Sequence, residues 1–140
     1  MKYDSKDVVA WNLLGILRSR LGALQKAEEA YQQVQKLAEQ AKDQKFIAAA
    51  LGNLGNIART RGQLDQAEEY RQRSLAIAEE LAHKEGVATQ LGNLGIIART
   101  RGQLDQAEDY YQRSLGLFQE VGAKPQIELI KSLLQKLENK

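Results

Sequence analysis

The sequence contains no cysteine, one histidine and one proline among its 140 residues, and only 6% of the residues are aromatic. Without cysteine, the chain can form neither a disulfide framework nor a thiolate metal site. The single histidine, His83, excludes a histidine-based catalytic triad and a histidine metal cluster. The sequence also lacks a phosphate-binding loop and a dinucleotide-binding fingerprint. We therefore expect a protein that is not an enzyme and that binds no metal and no cofactor.

Long apolar runs and a strong charge imbalance are missing as well. The N-terminal segment has no apolar core and no small-residue cleavage site, so we expect that it is not a secretion signal. No apolar run approaches the about 20 residues that cross a bilayer. The formal net charge of +2 argues against a dedicated nucleic-acid-binding protein. With the absence of cysteine, which fits a reducing compartment, these features predict a cytoplasmic protein that binds neither membrane nor nucleic acid.

What the sequence does contain is a long internal repeat. Residues 51–70 read LGNLGNIARTRGQLDQAEEY, and residues 91–110 read LGNLGIIARTRGQLDQAEDY, so the two copies differ at only two positions. A weaker copy, residues 11–30, precedes them at the same offset of 40 residues. A long unit repeated at a fixed period is typical of stacked repeat proteins, in which each unit needs its neighbours to bury its apolar face.

Apolar residues within each copy recur at helical spacing, and a glycine interrupts them at the same point. We predict two helices per copy, with Gly22, Gly62 and Gly102 ending the first helix of each pair. The apolar face predicted for the first helix of the chain consists of Val8, Trp11, Leu14, Leu17 and Leu21.

The repeat sets the predicted organisation of the chain. The segments are an N-terminal tail (residues 1–7), repeat 1 (residues 8–45), repeat 2 (residues 46–85), repeat 3 (residues 86–124) and a capping helix (residues 125–140). The capping helix begins at Pro125, where the first turn of a helix tolerates proline. Its apolar stripe should cover the open end of repeat 3, because repeat arrays require such a cap for solubility.

The pattern of glycine, alanine and large residues resembles the tetratricopeptide repeat. The three copies read Trp11-x-x-Leu14-Gly15, Leu51-x-x-Leu54-Gly55 and Leu91-x-x-Leu94-Gly95, and each is followed by a glycine and then by Ala27, Ala67 or Ala107. Four residues after that alanine stands Tyr31, Arg71 or Tyr111, so repeat 2 departs from the usual aromatic residue. The LGNLG core and the 40-residue period are similar to the longer variety found in kinesin light chains and LGN-type polarity adaptors.

The small residues of the pattern have a physical reason, because they allow the two helices of a repeat to approach closely while the large residue fills the remaining gap. The resemblance implies an all-α fold, a right-handed α-solenoid of helix-turn-helix units in which the first helices line a concave groove. It also implies a protein that binds extended peptides or partner helices in that groove and that is not an enzyme.

Polar residues form a stripe along the first helices, on the side away from the predicted packing face. The candidate peptide-binding residues in this groove are Asn12, Arg20, Asn53, Asn56, Arg59, Asn93, Ile96 and Arg99. Asparagine is unfavourable inside a helix, and its amide can pair with the main chain of a ligand. The alternative is that Asn53 and Asn93 bond neighbouring helices and fix the stacking. Gly52 and Gly92 indicate close approach, either of a ligand or of an adjacent helix.

Charge is also distributed unevenly between the helices. The predicted first helices, taken as residues 8–21, 46–61 and 86–101, contain no aspartate or glutamate, and each contains two arginines. A positive groove attracts acidic segments or a terminal carboxylate. The alternative is that arginines in a last turn complement the helix dipole. We expect Arg61 and Arg101 to pair with acidic residues such as Asp65 and Asp105 instead of facing the groove.

These patterns predict a non-catalytic module that binds an extended, acidic or C-terminal peptide of another protein. The alternative is a structural repeat that associates with itself, or an engineered or duplicated scaffold without a peptide ligand. The near-identity of repeats 2 and 3 motivates this alternative, because identical surfaces could also stack between chains.

Overall fold

The computed structural model describes residues 4–139, which form seven α-helices and no strand. In chain order they are α1 (Ser5–Arg20), α2 (Leu24–Ala41), α3 (Gln44–Thr60), α4 (Leu64–Glu80), α5 (Lys84–Thr100), α6 (Leu104–Val121) and α7 (Lys124–Glu138). The first helices of repeats 1 to 3 are α1, α3 and α5, and the second helices are α2, α4 and α6. The predicted all-α repeat fold is confirmed. Within residues 4–139, no helix combines the length and the apolar character needed to cross a membrane.

The first helices begin earlier than the sequence pattern predicts. α1 begins at Ser5, inside the predicted tail, because the side chain of Asp4 accepts a hydrogen bond of 2.9 Å from the backbone two residues on. α3 and α5 begin two residues before the predicted repeat boundaries, behind the N-cap residues Asp43 and His83. A cap of this kind satisfies a backbone N–H that has no partner inside the helix. The rest of the predicted tail, residues 1–3, lies outside the described residues.

A residue with positive φ follows each helix from α1 to α6. These residues are spaced 20 apart: Gly22, Lys42, Gly62, Ala82, Gly102 and Gly122. Glycine takes the left-handed conformation without a steric penalty, so the three predicted helix-ending glycines act as expected. Lys42 and Ala82 adopt the same conformation at a cost of about 1–2 kcal/mol each. The sequence predicts a polar break at residues 42–45 and a linker at residues 83–86, but it does not reveal the left-handed conformation of Lys42 and Ala82.

The chain divides into two compact units between Ile77 and Ala78, within α4. We call them the N-terminal half, which contains α1, α2 and α3, and the C-terminal half, which contains α5, α6 and α7. One core cluster of the N-terminal half is formed by Ala27, Tyr31, Leu54 and Ile57. The core cluster of the C-terminal half is formed by Ala88, Ala98, Ala107, Tyr111, Phe118, Ile130 and Leu133.

The helices of a repeat approach closely at the glycines of the LGNLG core. A Cβ atom placed on Gly15 would lie 2.5 Å from the ring of Tyr31, and one on Gly95 would lie 2.5 Å from the ring of Tyr111. In repeat 2 a Cβ atom on Gly55 would lie 3.0 Å from Nε of Arg71. Real Cβ atoms do not come as close as 2.5 Å to a neighbouring atom, so glycine is required in repeats 1 and 3. The predicted role of these small residues is confirmed.

A serine hydroxyl joins second helix to first helix in the same way in each half. The Ser74 hydroxyl donates a hydrogen bond of 3.1 Å to the Ala48 carbonyl, and the Ser114 hydroxyl donates one of 2.7 Å to the Ala88 carbonyl. Both donors and both acceptors are 40 residues apart. Repeats 2 and 3 therefore share their internal contacts as well as their sequence.

The apolar face predicted for α1 is largely exposed, so this part of the prediction is wrong. Val8 is buried, but Leu17 and Leu21 expose 54% and 75% of their surface, and Trp11 is also exposed. The equivalent of Leu17 in α3 is Ile57, which is buried in a cluster with side chains of α2. In the described chain α1 has no earlier helix to pack against, and its outer face therefore remains open.

The last helix, α7, packs against α6 as the predicted cap. Ile130 and Leu133 are buried in the core of the C-terminal half, and the rest of the predicted stripe packs partly buried around them. Pro125 lies in the first turn of the helix, as predicted. Leu129 lies next to this buried stripe in the sequence and is 56% exposed.

Candidate functional site

The predicted groove residues lie on the first helices, on faces that are exposed or partly exposed. Five of them are in the N-terminal half: Asn12, Arg20, Asn53, Asn56 and Arg59. The other three are in the C-terminal half: Asn93, Ile96 and Arg99. Each half therefore carries its own stretch of candidate surface.

In the N-terminal half, two of the predicted asparagines contact each other. The Asn53 side-chain amide donates a hydrogen bond of 3.2 Å to the amide oxygen of Asn12, and this bond joins α3 to α1. This bond corresponds to the alternative role expected for Asn53, which is to bond a neighbouring helix and fix the stacking. Each amide has further donor and acceptor capacity, so the bond does not prevent either side chain from contacting a ligand.

Asn56 bonds a buried arginine that the groove prediction did not include. Arg71 on α4 is only 3% exposed, and its Nη2 donates a hydrogen bond to the amide oxygen of Asn56. Burial lowers the pKa of Arg71 to about 10, and the positive charge of Arg59 lowers it in the same direction. Asn56 and Arg59 on α3 thus lie beside a third polar group that comes from the second helix.

The lowered pKa of Arg71 means that its charge costs stability. The folded-state pKa lies below the unfolded-state value, so the unfolded chain binds this proton more tightly. The cost is present in full below about pH 10 and disappears as the pH rises from there toward the ordinary pKa of arginine. A buried arginine is therefore not explained by its contribution to folding.

The residues at the positions of Asn56 and Arg71 vary together among the three repeats. Repeat 1 pairs Ile16 with Tyr31, and repeat 3 pairs Ile96 with Tyr111. Repeat 2 alone has Asn56, and it alone has Arg71. Because the Asn56 amide accepts a hydrogen bond from Arg71, a contact explains why the two exceptions occur in the same repeat.

In the C-terminal half, Tyr111 occupies the place of Arg71. The side chain is fully buried, and within the described residues its hydroxyl has no hydrogen-bond partner of normal geometry. Burial raises the pKa of Tyr111, and the neighbouring Arg99 charge partly opposes this effect. The predicted residue Arg99 therefore lies close to the hydroxyl group of a buried tyrosine.

A surface cavity of about 200 Å³ lies beside Asn93 and Ile96 in the C-terminal half. It is lined by Thr89, Gly92, Asn93 and Ile96 of α5, Phe118 of α6, and Gln126, Leu129, Ile130 and Leu133 of α7. The sequence prediction included Asn93 and Ile96 among the groove residues but treated α7 only as a cap. The sequence did offer one signal that α7 is more than a cap, because Leu129 is an apolar residue outside its predicted stripe.

Gly92 allows close approach of neighbouring helices of the same half. A Cβ atom on Gly92 would lie 3.3 Å from Cδ1 of Ile130 and 3.3 Å from the hydroxyl of Ser114. Of the two explanations offered for this glycine, the adjacent helix is therefore the one that the contacts support.

Arg61 pairs with an acidic residue, as predicted, but the partner in this ion pair is Glu28, which the prediction did not name. Nη1 of Arg61 lies 3.1 Å from the Glu28 carboxylate, which belongs to α2. Arg20 and Arg59 are exposed on their helices, and Arg99 is partly exposed. The stripe on α3 thus keeps Arg59 at its surface while the neighbouring Arg61 is bound to a carboxylate.

The repeat pattern is matched by known families. Models of the tetratricopeptide repeat match residues 8–40 and residues 46–120. The chain belongs to the tetratricopeptide repeat family. Tetratricopeptide repeats are generally non-catalytic modules for protein–protein interaction. No curated protein sequence matches this tetratricopeptide repeat chain with significance.

Solved structures share the tetratricopeptide fold at low sequence identity. The aspartyl phosphate phosphatase F of Bacillus subtilis matches with a TM-score of 0.91 at 13% identity, over 98% of this chain and 36% of its own. The tetratricopeptide domain of Arabidopsis FLU matches with a TM-score of 0.76 at 20% identity, over 83% of this chain and 98% of its own. Kinesin light chain-like repeats of Podosopora anserina match with a TM-score of 0.78 at 16% identity, over 93% of this chain and 64% of their own. This tetratricopeptide chain thus spans about a third of the phosphatase structure, and the similarity concerns the fold.

Proposed function

We propose that this protein is a non-catalytic interaction module whose first helices bind an extended segment of another protein. The segment carries acidic side chains or a free C-terminal carboxylate. The observation that carries the proposal is the polar surface of repeat 2, where Asn56 and Arg59 lie beside the buried Arg71.

The distribution of charge on the first helices supports an anionic partner. α3 contains no carboxylate, and the carboxylates of α1 and α5 are confined to their first turns, at Asp7 and Glu85. Arg20 and Arg59 are exposed near the other ends of their helices. An exposed arginine far from any carboxylate of its own helix can bind a carboxylate of the partner through two parallel hydrogen bonds.

The asparagines suit the main chain of such a segment. An asparagine amide offers a donor and an acceptor, which are the groups needed to pair with an extended backbone. Asn12 and Asn53 already bond each other, and this bond holds both amides in fixed orientations. Fixed orientation lowers the entropy lost on binding.

A peptide-library selection on the intact chain tests the proposal. We expect the enriched peptides to carry acidic residues or a shared free C-terminus. Arg59→Ala should weaken the binding of an enriched peptide about tenfold, because it removes a charge-assisted hydrogen bond. Arg73→Ala is the matched control, since Arg73 is an exposed arginine of the same half that pairs with Glu39 on a second helix. No enrichment by the folded chain, or equal losses in the two variants, would contradict the proposal.

Self-association is a second candidate, because the outer face of α1 is apolar and open. Leu13, Leu17 and Leu21 are spaced four residues apart on one side of the helix, and all three are more than half exposed. An exposed apolar patch of this kind is typical of an interaction site. Light scattering over a range of concentrations tests this candidate: a mass that rises with concentration and falls in Leu17→Ser supports it, and a constant monomer mass excludes it.

A further inference from the structure

We propose that the cavity of the C-terminal half is a subsite for one uncharged apolar side chain of the partner, of leucine or phenylalanine size. The inference rests on the proposed function and specifies the chemistry of one position in the bound segment. It gives α7 a binding role in addition to its role as a cap.

The size of the cavity fits a single side chain. Its volume is about 200 Å³, and an apolar cavity of about 150 Å³ in another protein is large enough to hold benzene. Sites for drug-sized molecules start at about 300 Å³. The cavity therefore fits a ring or a branched aliphatic group better than it fits a whole small molecule.

The walls of the cavity are complementary to an uncharged group. Phe118, Ile130 and Leu133 are buried and form its apolar interior, while Ile96 and Leu129 are more accessible. None of the residues lining the cavity carries a charge. A charged side chain placed there would lose its hydration without gaining a partner, whereas an apolar one would be removed from water favourably.

Polar groups at the cavity suit the backbone that would carry this side chain. Asn93, Gln126 and Thr89 belong to the lining, and the side chain of each can donate and accept a hydrogen bond. Arg99 follows Ile96 by three residues, which places it on the same side of α5 one turn later. An acidic residue beside the apolar one would therefore meet a positive charge.

Repeat 2 shows that the apolar character of this site is a property of repeat 3 in particular. The residue equivalent to Ile96 is Asn56, whose amide is bonded to Arg71. The two stripes otherwise share Asn53 or Asn93 and Arg59 or Arg99. The contribution of the first helix to the cavity is therefore apolar in repeat 3, whereas the equivalent residue of repeat 2 is polar.

Titration of the intact chain with blocked amino acids tests the proposal without knowledge of the natural partner. The probes are N-acetyl-leucinamide and N-acetyl-phenylalaninamide, with N-acetyl-serinamide as the polar control, and the readout is the methyl NMR spectrum. We expect the methyl signals of Ile96, Leu129 and Ile130 to shift with at least one apolar probe and not with the serine probe. No shift, or equal shifts with all three probes, would overturn the proposal.

Two leucine variants complete the test. Leu129→Ser should weaken the binding of the apolar probe about threefold or more, because it removes apolar surface from the cavity. Leu81→Ser is the matched control, because Leu81 is 50% exposed and lies outside the cavity. Equal affinities of the two variants would overturn the proposal even if the probe binds.

The outcome is separable from that of the peptide selection. If the library yields acidic peptides whose binding is unaffected by Leu129→Ser, the subsite is wrong and the proposed function stands. If the apolar probes bind in the cavity but no peptide is enriched, the proposed function fails while the apolar chemistry of the cavity is retained.

Discussion

Repeats 2 and 3 differ at only two positions within their shared stretch of 20 residues, yet their first helices present different chemistry. In repeat 2, Asn56 faces outward and bonds the buried Arg71. In repeat 3, Ile96 takes the place of Asn56, lines an apolar cavity, and is accompanied by a buried tyrosine, Tyr111. The helices, the glycine at the close contact and the serine hydrogen bond are the same in both.

The comparison shows that the scaffold and the surface of a repeat can be specified by separate residues. The glycine of the first helix allows the close approach of the second helix, and it does not change between the repeats. The surface is set by one residue on the first helix, by the large residue on the second helix that packs beside it and, in repeat 3, by α7. The following predictions alter these residues, beginning with the largest expected effect.

The first prediction transfers the polar pair of repeat 2 to repeat 3. Tyr111→Arg should lower the free energy of unfolding by about 3 kcal/mol, because it buries a charge without a suitable partner. Adding Ile96→Asn should recover about 1 kcal/mol or more, because its amide can accept a hydrogen bond from the new guanidinium. Urea unfolding followed by circular dichroism measures both values. Additive effects of the two substitutions would show that these positions are not coupled.

The second prediction makes the opposite change in repeat 2. Asn56→Ile alone should cost about 1–3 kcal/mol, because it removes an acceptor from a buried charged donor. Asn56→Ile combined with Arg71→Tyr should be more stable than the parent chain by about 1–3 kcal/mol at pH 7. Since Arg71 has a pKa of about 10 in the fold, the parent gains stability above that pH and the difference should shrink there. A double variant less stable than the parent at pH 7 would contradict this reasoning.

The third prediction concerns Gly95 and Gly55, the glycines at the close contact between the two helices of repeats 3 and 2. Gly95→Ala should lower the free energy of unfolding by about 1–2 kcal/mol more than Gly55→Ala. A Cβ atom at residue 95 meets a rigid tyrosine ring at 2.5 Å, whereas one at residue 55 meets the movable Arg71 side chain at 3.0 Å. Thermal unfolding of the two variants in parallel provides the measurement, and equal losses would show that the second-helix residue does not set this contact.

The fourth and smallest prediction uses the turns that follow the helices. Ala82→Gly should raise the free energy of unfolding by up to about 1 kcal/mol, because Ala82 holds a positive φ of 53° at a steric cost that glycine avoids. Gly62→Ala, at the equivalent turn after α3, should lower it by a similar amount. Urea unfolding of each variant checks the sign, and a destabilised Ala82→Gly protein would contradict the argument.

Much of the fold was predictable because it depends on local patterns. Apolar periodicity and the glycines at residues 22, 62 and 102 locate six of the helices and three of the turns. A polar break at residues 42–45 and a linker at residues 83–86 were also predictable. The left-handed conformation of Lys42 and Ala82 was not, because neither residue favours it. The exposure of α1 was missed because the sequence pattern cannot show whether an apolar stripe has another helix to pack against.

The candidate site was less predictable because it depends on contacts between helices. The sequence indicated which face of each first helix is open, and Asn56, Asn93 and Ile96 do lie on such faces. It could not show that Arg71, 15 residues after Asn56, is buried and bonds it, or that α7 completes a cavity. A comparison of the repeats could have suggested the contact between Asn56 and Arg71, because both residues differ from their equivalents in the other two repeats.

The most direct test compares peptide selections on the parent chain and on a variant with an uncharged repeat 2 surface, carrying Asn56→Ile, Arg59→Ala and Arg71→Tyr. Circular dichroism first establishes that both proteins are folded. We predict that the preference for acidic residues is weaker among peptides enriched by the variant, in which Arg20 and Arg99 remain, and that these peptides keep an apolar residue for the cavity of the C-terminal half. An acidic preference that persists unchanged in the variant would contradict the claim that repeat 2 recognises the anionic part of the partner.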